Sequence, residues 1–325
     1  MFDVITIGDI KLDTFITIPD ASASCSLKKR ECLLCMKHGA KIPVTDFVAQ
    51  IAGSAPNVAV GLSRTGFNAA IYSVMGEDET TDMAFKKLGQ EGVDTRYIET
   101  VHNKPSSFSA VLNYKGERTI LASHQPYQYH LPRIQPTKWL FVGELGDRYE
   151  MMYRKVIPYV KKHKTKLSFN PGAIQLQENK KILYELIKVT SILFVNTEEA
   201  EMLVSNHNRN KKKLEYLIHK LWKMGPEIVC ITDGKRGSFA FDGTDVWKCP
   251  IFPAKRVEMT GAGDSFGVGF LSAIIKGKKI SEALRWGNVN SASVIGKVGP
   301  QQGLLRIGQI QARLKKFSNI KANIT

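Results

Sequence analysis

The sequence predicts a single α/β domain, in which a central, mostly parallel sheet is flanked by helices in three layers. Short apolar segments alternate with helical patterns over most of the chain, which is typical of parallel sheets built from strand–helix units. The length of 325 residues and the apolar content of 43% allow a large buried core. Two segments that break the alternation predict a small additional β-layer.

The predicted core strands are short and apolar, and each is followed by a loop or a helix. They cover residues 3–8, 69–74, 138–142, 166–169, 192–195 and 228–232. One helix lies between Pro56 and Gly66, because proline suits the first turn and glycine the residue beyond the end. Another covers about 264–276 and is apolar on most faces, with Gly267 and Gly269 allowing close approach. We expect this second helix to be buried.

Two regions predict the small β-layer. Residues 12–50 contain two strand-like pieces around a loop rich in Ser, Lys and Cys, and residues 107–121 alternate in polarity about a turn. A layer formed by two separate segments of the chain can close over the carboxyl edge of the sheet, where open α/β sheets bind ligands. We therefore expect a lid formed by about residues 12–50 and 96–122.

The chain is strongly basic, with 46 Lys and Arg against 30 Asp and Glu and a formal net charge of +16. A surplus of this size can attract nucleic acid, anionic membranes or phosphorylated small molecules. The basic clusters are short, scattered and free of interleaved aromatics, at residues 28–30, 161–166, 211–213 and 276–279. No nucleic-acid-binding motif accompanies them. We expect solvated surfaces and no specific nucleic-acid partner.

No apolar run approaches the roughly 18 residues that a membrane span needs. The N-terminus passes directly into a strand-like segment, without the basic and apolar regions of a signal peptide. We therefore expect a cytoplasmic protein with no membrane association.

The five cysteines divide into two groups. Cys230 and Cys249 lie in apolar, strand-like stretches and are predicted to be core thiols. The others, with a histidine, have the spacing C-x6-C-x2-C-x2-H: Cys25, Cys32, Cys35 and His38. This set could supply four ligands to zinc, although it lacks the usual second cysteine pair. The alternative is ordinary thiols in an inserted turn.

The segment Met259-Thr-Gly-Ala-Gly-Asp-Ser-Phe266 is a Gly-rich loop that enters the predicted buried helix. Glycines let backbone N–H groups converge, and the helix N-terminus adds partial positive charge, so the loop should hold an anion such as phosphate. A carboxylate beside such a site is repelled unless it has a task, and Asp264 could accept a proton from an attacking hydroxyl. The alternative is that Asp264 only caps the helix.

A second Gly-rich turn, Ile231-Thr-Asp-Gly-Lys-Arg-Gly237, follows a predicted strand. It would let the backbone approach a nucleotide, or it is a plain hairpin turn. The sequence contains no G-x-x-x-x-G-K-[ST], which leaves a Walker-type NTPase unsupported. Gly261-x-Gly263 lacks the third glycine and the early position of a dinucleotide-binding fingerprint.

Five motifs, taken together and in order, resemble the ribokinase family, also called the phosphofructokinase B type of carbohydrate kinases. They are Gly8-Asp9 with Asp13, Gly53-Ser-Ala-Pro-Asn57, Asn196-Thr-Glu-Glu199, Thr232-Asp-Gly-Lys-Arg-Gly237 and Gly261-Ala-Gly-Asp264. The resemblance covers nearly the whole chain. It implies a ribokinase-like core with a β-lid, and phosphoryl transfer from ATP, with Mg²⁺, to a hydroxyl of a sugar or nucleoside.

The resemblance also implies a role for each matching residue. Asp264 would be the catalytic base, and the amides of Gly261, Ala262 and Gly263 would form the anion hole. The residues implied for substrate binding are Asp13, Gly53, Asn57 and, as a less specific fourth, Glu144. Those implied for nucleotide binding are Asn196, Thr232, Gly234, Gly237 and Asn288. Glu199 would organise Mg²⁺ through water.

Some of these residues have purely structural alternatives. Asn196 and Glu199 could cap a helix that starts near Thr197. Asp13 could be a solvated lid residue rather than a partner of vicinal hydroxyls.

The chain departs from the family pattern at three places. Ala52-Gly53 stands where two glycines often form a lid hinge. The sequence therefore does not predict how far the lid closes. Glu258 replaces an aspartate that often helps to bind a monovalent cation, so activation by K⁺ is open as well. The insertion 20–47 is longer than a lid needs, and it could cover the substrate, pair with a second subunit in a homodimer, or do both.

We therefore expect an ATP- and Mg²⁺-dependent kinase of a small polyol, a free sugar in the first instance, with Asp264 as base. A nucleoside kinase of the adenosine type is the alternative, and an apolar or aromatic floor for a base would distinguish it from a polar sugar pocket. A non-catalytic sugar sensor or a basic nucleic-acid-binding module would keep the fold without transfer.

Overall fold

A computed structural model of the chain describes residues 1–19, 21–26, 31–115, 117–205 and 213–325. Its strands are β1 (Phe2–Ile7), β2 (Lys11–Thr17), β3 (Ser22–Ser26), β4 (Glu31–Cys35), β5 (Asp46–Ala52), β6 (Ala69–Gly76), β7 (Asp94–Val101), β8 (Ser107–Tyr114), β9 (Glu117–Ser123), β10 (Thr137–Val142), β11 (Lys166–Phe169), β12 (Ile192–Asn196), β13 (Ile228–Thr232), β14 (Ser238–Phe241), β15 (Val246–Cys249) and β16 (Asn323–Ile324). Its helices are α1 (Ser54–Arg64), α2 (Glu79–Gln90), α3 (Tyr149–His163), α4 (Ala173–Glu178), α5 (Lys181–Ile187), α6 (Thr197–Ser205), α7 (Leu214–Trp222), α8 (Ala262–Ile275), α9 (Ile280–Val294) and α10 (Ile307–Lys316).

The large sheet has the strand order β16-β15-β14-β13-β12-β11-β10-β1-β6-β7. The strands from β13 to β7 pair in parallel, and β14, β15 and β16 add an antiparallel edge. Central strands are buried on both faces, as shown by β6, in which every residue is buried. The mostly parallel sheet and all six predicted core strands are confirmed.

Helices cover both faces of this sheet and complete the three predicted layers. One apolar cluster joins the sheet to α1, α2, α8, α9 and α10. The other joins it to α3, α4, α5, α6 and α7. The two predicted helices are confirmed as α1 and α8, and each begins two residues before the predicted start.

The burial predicted for α8 is confirmed, because every residue from Ser265 to Ala273 is buried. A Cβ atom added at Gly269 would lie 2.3 Å from the carbonyl oxygen of Trp286 in α9, so this glycine does allow close approach. At Gly267 the same atom would meet only the ring of Phe194 at 3.9 Å, an ordinary contact.

The second sheet, which we call the small sheet, has the order β5-β2-β8-β9. The predicted lid segment 96–122 therefore begins too early. Residues 94–101 form β7, which pairs in parallel with β6 at the edge of the large sheet. The second excursion from the core starts only at Ser107, where β8 pairs with β2.

The inserted segment between β2 and β5 contains the hairpin of β3 and β4. A disulfide joins Cys25 to Cys32 across this hairpin, and Cys35 is a free, exposed thiol. The hypothetical zinc site is therefore wrong, because two of its four ligands are bonded to each other. In the part of the chain that the structure describes, no group of three or more His, Cys, Asp or Glu side chains could hold a metal ion. Cys230 and Cys249 are buried thiols, as predicted.

The basic clusters that the structure describes are exposed. Residues 161–164 at the end of α3 and residues 276–279 after α8 are solvated, as predicted. The cluster 28–30 and the first two residues of the cluster 211–213 lie outside the described residues. Within the described ranges, no helix is both long and apolar enough to cross a bilayer.

The close contact of α8 with α9 generates a stability prediction. We expect Gly269→Ala to lower the free energy of unfolding by about 1–3 kcal/mol, because the added methyl group forces two helix backbones apart. The control is Gly308→Ala in α10, where an added Cβ meets nothing within 4 Å. This change should be neutral or stabilising by up to about 1 kcal/mol, since alanine favours helix. Urea unfolding measures both, and equal effects would contradict the packing interpretation.

Candidate active site

A cavity of about 1090 Å³ lies at the carboxyl edge of the large sheet, under one face of the small sheet. The ends of β12 and β13 and the start of α8 line it from below. Alternate residues of the small sheet line it from above: Lys11, Asp13, Ser109, Arg118, Ile120 and Ala122. All fourteen residues that the sequence proposed for the site line this one cavity. The structure thus brings the predicted set together.

The Gly-rich loop ends where α8 begins. Gly261 is the N-cap residue of α8, with a left-handed φ of 76°, and a Cβ atom there would lie 2.4 Å from Pro300. Gly263 and Asp264 lie in the first turn, where backbone N–H groups have no partner one turn earlier. The amide of Ala262 donates to the carbonyl of Met259 at 3.2 Å, which makes it the least available of the three predicted amides. The helix start still offers N–H groups and partial positive charge to an anion.

Asp264 lies in this first turn and lines the cavity, and both of its carboxylate oxygens accept hydrogen bonds from α1. Ser54 Oγ donates to Oδ1 at 2.9 Å, and Asn57 Nδ2 donates to Oδ2 at 2.8 Å. Burial raises the pKa of Asp264 above its ordinary value, while the hydrogen bonds from Asn57 and Ser54 oppose that rise. A carboxylate that is held by neutral donors and faces a cavity can take up a proton.

Asp13 and Glu144 lie in the half of the cavity next to β1 and β10. Asp13 is 7% exposed, and its Oδ1 has no hydrogen-bond partner among the described residues. Burial raises the pKa of Asp13 to about 6, although Lys11 and a hydrogen bond with Ser109 oppose the rise. Asp13 is therefore not a solvated lid residue. It presents an unused acceptor to the cavity.

Lys11 is a site residue that the sequence reasoning missed. Its Nζ lies 2.6 Å from Glu144 Oε2, and its side chain is 8% exposed. The signal was present, because side chains two residues apart share one face of a strand and Lys11 stands between Asp9 and Asp13. Burial alone would raise the pKa of Glu144, but the charge of Lys11 and the contact with His124 lower it to about 2.

His124 was also missed, and it bridges two acidic residues at the base of this half. Its Nδ1 lies 3.3 Å from Asp9 Oδ2, and its Nε2 lies 3.5 Å from Glu144 Oε1. Hydrogen bonds with Asp9 and Glu144 raise the pKa of His124 to about 9, against the effect of burial. Tyr129 Oη donates to the other oxygen of Asp9 at 2.8 Å. No local pattern marks His124, since it simply follows the end of β9.

Asn196 and Glu199 lie at the other half of the cavity, where β12 passes into α6. Glu199 N donates to Asn196 Oδ1 at 2.9 Å, and Asn196 N donates to Glu199 Oε2 at 2.8 Å. This reciprocal pair is a capping box, so the structural alternative is confirmed. Both residues also line the cavity, and burial raises the pKa of Glu199 to about 7. The cap and a ligand site are compatible.

The second Gly-rich turn joins β13 to antiparallel β14, so its interpretation as a hairpin turn is confirmed. It nevertheless borders the cavity through Thr232, Gly234 and Gly237. A Cβ atom at Gly237 would lie 2.1 Å from the carbonyl oxygen of Cys249, so only glycine fits. Asn288 Nδ2 donates to that same carbonyl at 3.0 Å, which fixes α9 against the end of β15.

Gly53 connects the small sheet to the core. It is the one residue between the end of β5 and the start of α1, and its φ is 123°. A Cβ atom there would lie 2.3 Å from the carbonyl oxygen of Asp9. Ala52 beside it is fully buried. The junction therefore has one permissive residue where the family pattern often has two.

Glu258 lies just before the Gly-rich loop and is 4% exposed. Its Oε1 accepts hydrogen bonds from the amide and the hydroxyl of Thr260, at 2.6 and 2.5 Å. Its Oε2 is buried and has no hydrogen-bond partner in the described part of the chain.

The chain matches known proteins over nearly its whole length. Residues 20–306 match the model described as pfkB family carbohydrate kinase. The chain is 28% identical to an uncharacterized sugar kinase of Archaeoglobus fulgidus, over 76% of this chain and 99% of that protein. It is 25% identical to the 5-dehydro-2-deoxygluconokinase of Halalkalibacterium halodurans, over 84% and 88%. The solved structure of Arabidopsis thaliana ribokinase with ribose and ATP superposes with a TM-score of 0.79 at 20% identity, covering 97% and 99%.

The His124 bridge generates a prediction about pH and stability. The pKa of His124 lies above the ordinary value of 6.5, so its stabilising contribution is fully present below about pH 6.5 and is lost as the pH rises through about 9. We expect His124→Gln to lower the free energy of unfolding at pH 6. The difference from wild type should decrease toward pH 9, by at most about 1.4 kcal/mol per pH unit. Chemical unfolding at several pH values measures this.

The matched control is His102→Gln, because His102 contacts Glu77 in an exposed pair. Exposed pairs contribute little, so this variant should differ little from wild type at every pH. A His124→Gln deficit that did not change with pH would contradict the bridge.

Proposed function

The chain belongs to the pfkB family of carbohydrate kinases and is an ATP-dependent sugar kinase, and on that premise we propose that Asp264 is the base that activates the acceptor hydroxyl. The observation that carries this proposal is the position of the Asp264 carboxylate. It lies at the N-terminus of buried α8, between a half of the cavity lined by Asp13 and Glu144 and a half lined by Asn196 and Thr232. An acceptor and a nucleotide bound in these halves would meet at Asp264.

Different residues of the cavity would take up the proton, stabilise the developing charge and position the reactants, as phosphoryl transfer requires. A sugar hydroxyl gives its proton to Asp264 while its oxygen attacks the γ-phosphorus of ATP. The bond from that phosphorus to the β,γ-bridging oxygen breaks, and ADP leaves with the electron pair. The negative charge on the transferred phosphoryl oxygens faces the N–H groups at the start of α8. Positioning by Asp13 and Asn57 on the acceptor side then supplies much of the acceleration, because both reactants are held in line.

Glu199 is our candidate for organising Mg²⁺ through water. Its side chain is partly buried and lines the nucleotide half, and oxygen ligands suit this cation. Magnesium commonly keeps several waters and binds substrate phosphates, so a single carboxylate is compatible with it. When bound, Mg²⁺ would neutralise charge on the phosphate oxygens.

The acceptor side favours a sugar over a nucleoside. Its lining includes the polar residues Lys11, Asp13, Asn57, Ser109 and Glu144, while the small sheet adds the apolar Ile120 and Ala122 to the cavity. The aromatic residues among the described lining are Phe252, which follows β15, and Phe266, which packs against Phe194 of β12. Both therefore belong to the side that we assign to the nucleotide. A nucleoside base would need such a surface on the acceptor side.

Three further expectations stay predictions. The unpartnered Oε2 of Glu258 is compatible with a monovalent cation such as K⁺, although the other oxygen is occupied by Thr260. A homodimer through the small sheet is compatible with the exposed apolar side chains of Phe47, Phe108 and Leu121. A cytoplasmic location fits a kinase that uses ATP.

The acceptor class is tested by ADP formation with a panel of free sugars, keto sugar acids, sugar phosphates and nucleosides. We expect the highest kcat/KM with a member of the first two groups, because the acceptor half offers hydrogen-bonding groups and no aromatic floor among the residues described. The kinase names of the relatives justify including keto sugar acids. Highest efficiency with a nucleoside would replace the sugar assignment. Failure of every compound to stimulate ADP formation would favour a non-catalytic sensor.

The base is tested by Asp264→Asn, which keeps the size of the side chain but cannot take up a proton. We expect turnover to fall by about 10²–10⁴-fold while ATP binding, measured by calorimetry, is retained. The matched control is Asp245→Asn, since Asp245 is exposed and lies in the turn before β15. Turnover near wild type in Asp264→Asn would refute the assignment.

A further inference from the structure

Gln301 is a buried amide that lies behind the proposed catalytic base. It is 2% exposed and belongs to the loop between α9 and α10. Its Nε2 donates to the carbonyl of Ile51 at 3.0 Å and to Asn57 Oδ1 at 3.0 Å. Asn57 in turn donates to Asp264 Oδ2 at 2.8 Å. The three side chains form a directed chain of hydrogen bonds that ends on the carboxylate.

The orientation of Gln301 is fixed by its two acceptors. If its amide were reversed, Oε1 would face the carbonyl oxygen of Ile51 and the side-chain oxygen of Asn57, and both contacts would be repulsive. This explains why Oε1 is left buried without a partner in the described part of the chain. Arg64 holds the backbone of this residue, since its Nη1 donates to the carbonyl of Gln301 at 2.8 Å.

The fixed donor decides which end of the Asn57 amide faces Asp264. An amide has an oxygen that accepts and a nitrogen that donates. Because Gln301 Nε2 can only donate, Asn57 must turn its oxygen toward Gln301 and its nitrogen toward the carboxylate. A reversed Asn57 would place its oxygen against Asp264 Oδ2 and would remove one of the two donors that α1 supplies.

We infer that Gln301 is a positioning residue for phosphoryl transfer, which acts by holding the Asn57 amide so that an N–H group always faces the proposed base. The inference rests on the proposed function of Asp264. It adds a residue that neither the motifs nor the lining of the cavity identify, since Gln301 does not border the cavity.

The charges around Asp264 make this donor important. The carboxylates of Glu144, Asp13 and Glu199 interact electrostatically with that of Asp264. Each of these interactions disfavours a further negative charge. Lys11 is the cation that opposes them. Burial also disfavours the ionised form of Asp264, and the hydrogen bonds from Asn57 and Ser54 favour it.

The test uses two substitutions at Gln301 and one matched control. Gln301→Met keeps the length but removes the donor, so Asn57 can reverse. Gln301→Glu keeps the size and replaces the donor with an acceptor, which attracts the nitrogen of Asn57 and drives the reversal. The control, Gln302→Met, makes the same replacement of glutamine by methionine at the adjacent residue, which is exposed. The full chain is assayed with ATP and the best acceptor from the panel.

We expect Gln301→Met to lower kcat at neutral pH by about tenfold and to move the acid limb of the kcat profile up by about one pH unit. The activity should recover at higher pH, where Asp264 ionises again. Gln301→Glu should show a larger change, Gln302→Met none, and the KM for ATP should stay within about twofold of wild type. Loss of thermal stability with an unchanged kcat profile would overturn the inference, because it would indicate structural support alone.

A second background isolates the path through Asn57. In Asn57→Ala, Gln301→Met should cost no further activity, because the amide that it orients is gone. An equal additional loss in this background would also overturn the inference. Gln301→Glu is isosteric with the native residue and carries the test if Gln301→Met does not fold. Absence of phosphoryl transfer in the wild type would instead count against the proposed function.

Discussion

The proposed chemistry depends on one carboxylate, that of Asp264, which must be ionised among other acids. Asp264 is placed for this proposed role because α8 begins at the carboxyl edge of the sheet and because α1 packs close enough for Ser54 and Asn57 to donate to it. A Cβ atom at Gly61 of α1 would lie 2.5 Å from the side chain of Val268 in α8, so a larger residue would separate these helices. Core packing between two helices therefore sets the electrostatics of the proposed base.

In the acceptor half, as at Asp264, the charge of each side chain depends on the groups packed around it. Buried and partly buried charges of opposite sign alternate there, from Asp9 through His124 and Glu144 to Lys11 and Asp13. A buried charge is tolerated when it is paired, and removing one partner leaves the next uncompensated. Asp13 ends this series with an oxygen that has no partner among the described residues, which suits a substrate hydroxyl. The pairing that keeps the half folded thus also leaves one acceptor group for a ligand.

Several features first posed as structural or functional alternatives proved compatible with both. The capping box of Asn196 and Glu199 and the hairpin turn at residues 232–237 are ordinary local structures, yet both border the cavity. The reason is geometric, because the carboxyl ends of adjacent parallel strands meet at one edge, and the turns that end them must lie there. The zinc hypothesis failed because the spacing of the cysteines does not determine their three-dimensional arrangement. Spacing alone could not show that Cys25 and Cys32 face each other across a hairpin.

The sequence alone determined the fold class, the core strands, the buried α8 and fourteen of the residues that line the cavity. These depend on periodicity and on short motifs, which are local properties of the chain. Only the tertiary structure assigned β7 to the large sheet and revealed Lys11, His124 and Gln301. Most of their contacts join residues more than a hundred positions apart, such as Lys11 with Glu144 and Gln301 with Asn57. The partner of a buried polar group is chosen by packing in three dimensions, and no local pattern of residues contains that information.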